Sequence, residues 1–133
     1  MRFRTWVALA GLALLGGCSS HPTDNNSLPP AHDIGIQKNA MNLGAAAFSP
    51  PTFTISLATQ TTVKWYNGDF GSSSGYGGTN GTAHRMVSDD GTTFGSGNIP
   101  PKGSFVATLS SPGTFAYHCS IHPSMTGTVV VNP

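Results

Sequence analysis

The sequence predicts an all-β domain between about residue 33 and residue 133, and three observations support this prediction. Turn-forming residues recur at short intervals, apolar and polar residues alternate in four segments, and no segment shows a convincing helical period. About one hundred residues are enough for one hydrophobic core, so we expect a single domain. Several short strands at this spacing favour a β-sandwich or a β-barrel.

The alternation also predicts which side chains face the core, because successive side chains of a strand point to opposite faces. The inward-facing residues are Phe53, Ile55 and Leu57, then Val63 and Trp65, then Phe105, Ala107 and Leu109, and finally Phe115, Tyr117 and Cys119. Residues 126–131 form a last predicted strand, which is rich in β-branched side chains. Proline and glycine supply the breaks at Pro50-Pro51, Gly91, Pro100-Pro101-Lys102-Gly103 and Pro112-Gly113.

Residues 1–17 have the pattern of an export signal. Arg2 and Arg4 precede an apolar run, residues 6–15, that is too short to span a membrane. Residues 15–18, Leu-Gly-Gly-Cys, resemble a bacterial lipobox, in which Cys18 becomes the lipidated first residue of the mature protein. The alternative is an ordinary signal peptide with a chance cysteine. We expect a lipoprotein signal peptide at 1–17 and a bacterial cell-envelope location, facing the periplasm or the cell exterior.

The segment from residue 18 to residue 32 is predicted to be a lipidated cysteine followed by a flexible tether, because it is polar and contains three prolines. The domain itself then spans 33–133. Without its signal the chain keeps four basic residues against five acidic ones, a formal charge of −1. This balance gives no footprint for nucleic acid and little long-range steering. We expect a monomer that meets partners through apolar and hydrogen-bonding contacts.

A C-x-x-H-x-x-M run, Cys119, His122 and Met125, lies near the end of the chain. With an upstream histidine it contains the ligand types of a type 1 copper site, in which two imidazoles and a thiolate bind the metal and a thioether is a weak axial ligand. Strand alternation points Cys119 inward and His118 outward, and Pro123 requires a turn that brings His122 and Met125 back. A bound metal would also protect the single remaining thiol of an exported protein from oxidation.

The upstream ligand is less certain from the residues alone. His84 lies thirty-five positions before Cys119, so it must come from another strand end. A lone histidine in a polar stretch is commonly just solvated, and His32, His21 and Met86 are alternatives for the fourth ligand.

From Phe48 onward the chain resembles the cupredoxin family, especially the plastocyanin, amicyanin and pseudoazurin group. The resemblance covers about two thirds of the chain and rests on residues 48–50 (FSP), 63–67 (VKWYN), 83–87 (AHRMV), 88–91 (SDDG), 112–119 (PGTFAYHC) and 122–127 (HPSMTG). It implies a cupredoxin-like Greek-key β-sandwich and one type 1 copper ion that cycles between Cu(I) and Cu(II). The implied ligands are His84, Cys119, His122 and Met125.

The resemblance also implies a function: a one-electron carrier in the cell envelope that exchanges electrons with redox partner proteins and is not an enzyme. His122 is the expected electron port. A periplasmic copper chaperone or store is the main alternative, and a redox enzyme with an exchangeable ligand is another. Zinc could also occupy such a site, because one cysteine and two histidines suit it.

Two features depart from the family pattern. Arg85 follows the upstream histidine, where relatives usually have Asn, Ser or Thr to tie the two ligand loops together, so the rigidity of the outer hydrogen bonds is in question. The second feature is a glycine- and serine-rich insertion at 68–81. We interpret it as a flexible surface loop. The alternative is that it lies beside the copper site and shapes the partner surface through Phe70 or Tyr76.

Overall fold

The computed structural model describes residues 30–71 and 81–133. The predicted signal peptide, the tether up to residue 29 and residues 72–80 of the insertion, including Tyr76, lie outside these described residues. The described chain forms strands and two short 3-10 helices, and the all-β prediction is confirmed. The strands are β1 Ile34–Ile36, β2 Phe48–Ser49, β3 Thr52–Ser56, β4 Thr62–Asn67, β5 Met86–Ser88, β6 Ser104–Thr108, β7 Gly113–Cys119 and β8 Thr126–Asn132; the 3-10 helices are Ala40–Asn42 and Gly44–Ala47.

The strands form a sandwich of two four-stranded sheets. One sheet has the order β2-β1-β4-β6 and the other the order β3-β8-β7-β5. The pairs β1–β4 and β3–β8 are parallel, and the other neighbours are antiparallel. No helix among the described residues is long and apolar enough to cross a membrane.

An aromatic cluster fills the space between the sheets. Trp65 of β4 and Tyr117 of β7 are fully buried, with their ring centroids 5.5 Å apart at 86°. Phe48 and Phe94 pack against this pair. The inward-facing residues that sequence alternation predicts are buried at the middle of the strands, whereas those near strand ends, such as Phe53, are only half-buried. Strand periodicity therefore predicts the face of each side chain correctly.

Strands β5 and β7 bring the histidine-bearing segment 81–85 beside the end of β7. Their antiparallel register pairs Met86 with Cys119. An isolated bridge pairs His84 with Ile99, through His84 N–H to Ile99 O at 3.1 Å and Ile99 N–H to His84 O at 2.7 Å. The backbone of His84 is thus fixed on both sides, two residues before β5 and close to Cys119.

Candidate metal centre

The loop that follows β7 is closed by three backbone hydrogen bonds. The Cys119 N–H donates to Met125 O at 3.0 Å, the His122 N–H to Cys119 O at 3.1 Å, and the Met125 N–H to His122 O at 3.0 Å. The turn that Pro123 predicts is therefore present, and strands β7 and β8 hold both ends of the loop. Fixed backbone at three positions places their side chains at one end of the sandwich.

Three side chains converge at this point, one from each of two loops and one from the end of β7. The Cys119 Sγ lies 3.8 Å from His84 Nδ1 and 3.7 Å from His122 Nδ1. All three potential ligand atoms lie within 4.8 Å of one another. His84 and Cys119 are fully buried, whereas His122 is partly exposed. The cluster is thus reached from the surface at the His122 side.

Met125 is the fourth predicted ligand, and it is fully buried at the end of the same loop. The other candidates lie differently. His32 is exposed and stacks on Tyr66, with ring centroids 5.3 Å apart. Met86 is buried in the core beside Cys119, and His21 lies outside the described residues. Together, His84, Cys119, His122 and Met125 form a cluster typical of a type 1 copper site.

The electrostatics of the cluster favour a thiolate. Burial raises the pKa of Cys119, but hydrogen bonds from the His84 ring and from nearby backbone N–H groups outweigh it and lower the pKa to about 6. One of these donors is the Arg85 N–H, 3.4 Å from the sulfur. Burial likewise opposes charge on His84, but its hydrogen bonds to Cys119 and Asp69 raise its pKa overall. The donor set therefore provides the deprotonated sulfur that a soft metal ion requires.

Arg85 connects the two ligand loops through its backbone. Besides the N–H bond to Cys119 Sγ, the Arg85 carbonyl accepts the Ser120 N–H at 2.9 Å. Its guanidinium donates to Asn98 Oδ1 at 3.0 and 3.2 Å, on the outside of the site. The expected loss of rigidity at this position is therefore not seen, because main-chain atoms make the connection that we assigned to an Asn, Ser or Thr side chain.

Asp69 is a residue of the site that sequence reasoning missed. Its Oδ2 lies 3.1 Å from His84 Nε2, on the side of the ring that faces away from Cys119. It lies at the start of the insertion, and a bridge between Phe70 and Gly81 closes the base of that insertion. A single aspartate in a glycine-rich stretch carries no motif, so no signal in the sequence identifies it.

The described part of the insertion bears on both interpretations of that segment. Its base does contact the site, through Asp69. The Phe70 ring, however, is covered by Lys102, whose Nζ lies 5.0 Å from the ring centroid. His118 points outward, as strand alternation predicts, and its Nδ1 lies 2.6 Å from Asp89 Oδ1.

Comparisons with known proteins support the fold. Neither a protein-family model nor a curated protein sequence matches the chain. Among solved structures, the chain is similar to a purple cupredoxin from Nitrosopumilus maritimus, with 25% identity and a TM-score of 0.60, over 77% of this chain and 100% of that one. It is also similar to a copper-containing nitrite reductase from Thermus scotoductus, with 28% identity and a TM-score of 0.52, over 65% of this chain.

This chain spans only 20% of the nitrite reductase chain. A Cu(I) form of amicyanin matches with 22% identity and a TM-score of 0.47, over 62% of this chain and 70% of that one. The fold is thus that of cupredoxins, an all-β sandwich of two sheets, and it carries a donor set typical of type 1 copper.

Proposed function

We propose that this protein is a type 1 copper protein that acts as a one-electron carrier in the bacterial cell envelope. The observation that carries the proposal is the buried Cys119 thiol with an imidazole Nδ1 on either side, at 3.7 and 3.8 Å. Cys119, His84 and His122 would hold the metal, and Met125 would be the weak axial ligand. Bound copper supplies a Cu(I)/Cu(II) couple there.

The backbone around the donors supports a carrier over a chaperone or store. Hydrogen bonds from Arg85, Met125 and Ile99 hold the three donor segments in place whether or not an electron is added. A site that keeps its geometry needs little rearrangement on electron transfer. A delivery protein needs ligands that exchange readily, whereas His84 and Cys119 are fully buried. The ligand set also offers no vacant equatorial position for a substrate, so we do not propose an enzyme.

His122 is the proposed electron port, because its ring is the partly exposed member of the cluster. Ile121, next to it, is 44% exposed. The segment with the two 3-10 helices approaches the same loop at Gly44 and Ser124, and it exposes Met41 and Leu43. With apolar side chains and few charges nearby, redox partner proteins would dock through apolar contact around His122.

The envelope location rests on the sequence. The charged start, the short apolar run and the Leu-Gly-Gly-Cys motif support export and lipidation at Cys18. Residues 18–32 would then tether the domain to the membrane, since an extended chain of this length reaches roughly 40 Å. The partners would be redox proteins of the same compartment.

A visible absorption spectrum of the copper-loaded protein tests the central proposal. We expect an intense band from charge transfer between thiolate and Cu(II), and we expect Cys119→Ser to abolish it. His118→Ala is a matched control, because His118 is adjacent to Cys119 but faces Asp89 at the surface. A colourless wild-type protein, or a band that survives Cys119→Ser, would overturn the type 1 assignment.

A further inference from the structure

A buried carboxylate lies directly behind one of the proposed ligands. Asp69 Oδ2 is 3.1 Å from Nε2 of His84, and the two side chains are 8% and 0% exposed. Resting on the function proposed above, we infer that Asp69 is a positioning residue: it orients the His84 ring for metal binding and stabilises the oxidised over the reduced form of the site.

The first part of this inference follows from hydrogen-bond chemistry. A carboxylate can only accept, so the ring proton of His84 lies on Nε2 and the lone pair lies on Nδ1. Nδ1 is the atom that faces Cys119 Sγ, at 3.8 Å. Metal-binding histidines commonly donate their other N–H to a carboxylate, which fixes the ring and makes the ligand nitrogen more basic. Asp69 therefore selects the form of His84 that can bind a metal.

Asp69 can do this because it is itself held firmly. Its Oδ1 accepts the Asn39 N–H at 2.7 Å, and its Oδ2 accepts the Ala40 N–H at 3.3 Å as well as the His84 bond. Its own N–H donates to Asn67 Oδ1 at 2.9 Å, and its carbonyl accepts the Thr82 N–H at 3.1 Å. Both ends of the insertion and the 39–40 turn thus fix one carboxylate against one imidazole.

The second part of the inference follows from charge. With thiolate and carboxylate both negative, the formal charge of this buried group is zero with Cu(II) and −1 with Cu(I). Charges that are buried interact more strongly than charges in water, so the Asp69 carboxylate disfavours the reduced form. Removing its charge should raise the reduction potential.

The test compares two aspartate-to-asparagine variants of the copper-loaded mature protein. Asp69→Asn removes the buried charge with little change in shape. Asp89→Asn is a matched control, since Asp89 also faces a histidine, His118, at 2.6 Å, but these side chains are 53% and 33% exposed and His118 is not a ligand. The measurements are the midpoint potential and the visible and electron paramagnetic resonance spectra.

We expect Asp69→Asn to weaken Cu(II) relative to Cu(I) binding by about tenfold or more. A tenfold change in a one-electron couple corresponds to a rise in potential of about 59 mV. Asp89→Asn should leave the potential unchanged, because solvent and salt screen its charge. An Asp69→Asn protein that is merely less stable, with the wild-type potential and spectra, would show a purely structural role and overturn the inference.

A second measurement covers the case in which Asp69→Asn does not fold. In the wild-type protein loaded with zinc, which is diamagnetic, NMR should detect a His84 Nε2 proton that exchanges slowly with solvent. A His84 ring protonated at Nδ1, or an Nε2 proton in fast exchange, would overturn the inference. This result does not depend on copper, whereas the proposed function fails separately if the copper-loaded wild type shows no charge-transfer band.

Discussion

Tyr117 lies directly opposite Gly127 in the register of β7 and β8, and its phenol ring covers the place where a side chain at position 127 would be. The ring is fully buried against Trp65 and Phe94. Burial raises the pKa of the Tyr117 hydroxyl, the larger effect here, while a hydrogen bond involving Trp65 opposes it. A glycine at the centre of a strand is costly in itself, but here it provides the space for the largest ring of β7.

The first prediction concerns this contact. A Cβ atom at Gly127 would overlap the Tyr117 phenol, which cannot move away because it is enclosed in the core. We expect Gly127→Ala to lower the free energy of unfolding by about 1–3 kcal/mol, as overpacked cores do. Urea denaturation measures this directly. Gly97→Ala is the control, because no atom lies within 4 Å of its added Cβ; equal stabilities of the two variants would contradict the prediction.

The sequence predicts the longer strands because alternation needs several residues to become visible. Strands β3, β4, β6, β7 and β8 have five to seven residues each and were all predicted. Strands β1, β2 and β5 have two or three residues and were missed. Their pairing partners hold these short strands: β1 lies between β2 and β4, and β5 pairs with β7. That information is not local in the sequence.

The same distinction applies to the site. Cys119, His122 and Met125 lie in one loop, so their spacing alone indicates a metal site. His84 needed a family resemblance, because its position opposite Cys119 depends on the β5–β7 register. Asp69 could not be predicted at all, since its contact with His84 depends on the closed base of the insertion and on backbone N–H groups of the 39–40 turn.

The second prediction concerns the charge of Cys119 in the metal-free protein. Although burial alone raises its pKa, the donors around its sulfur lower the pKa from an ordinary value of 9.0 to about 6. The ultraviolet absorbance of the thiolate should therefore persist at neutral pH and disappear as the pH falls through about 6. The titration should be measured in Cys18→Ala, which leaves Cys119 as the remaining thiol of the chain's two cysteines.

The sign for stability follows from the same shift. Because the folded protein holds the Cys119 proton less tightly than the unfolded chain, this group stabilises the fold fully above about pH 9 and loses that contribution as the pH falls towards 6. His84, whose pKa is raised overall, contributes in the opposite sense and is most stabilising at low pH. A thiolate midpoint near 9 would contradict the arrangement of donors described here.

The third prediction concerns export and anchoring. If Cys18 is lipidated, the mature protein should begin at Cys18 and remain with the membrane fraction, because two acyl chains give stable attachment. Cys18→Ala should release the domain from the membrane without changing its fold or its copper spectrum, since Cys18 lies before the domain. Mass spectrometry of the purified amino terminus measures the modification. An unmodified terminus, or cleavage at another residue, would contradict it.

The last prediction separates an electron carrier from a copper chaperone, and it rests on the exposed ring of His122. His122→Gly should leave an open position that added imidazole can fill, which would restore the charge-transfer band. His118→Gly is the control, because that partly exposed histidine faces Asp89 instead of the site. In the intact protein we expect rapid electron self-exchange, measured by NMR line broadening, and slow loss of copper to a chelator of comparable affinity. Fast copper loss together with slow self-exchange would instead favour a chaperone, whose buried ligands would then have to open far more often than the backbone bonds of Cys119 and Met125 suggest.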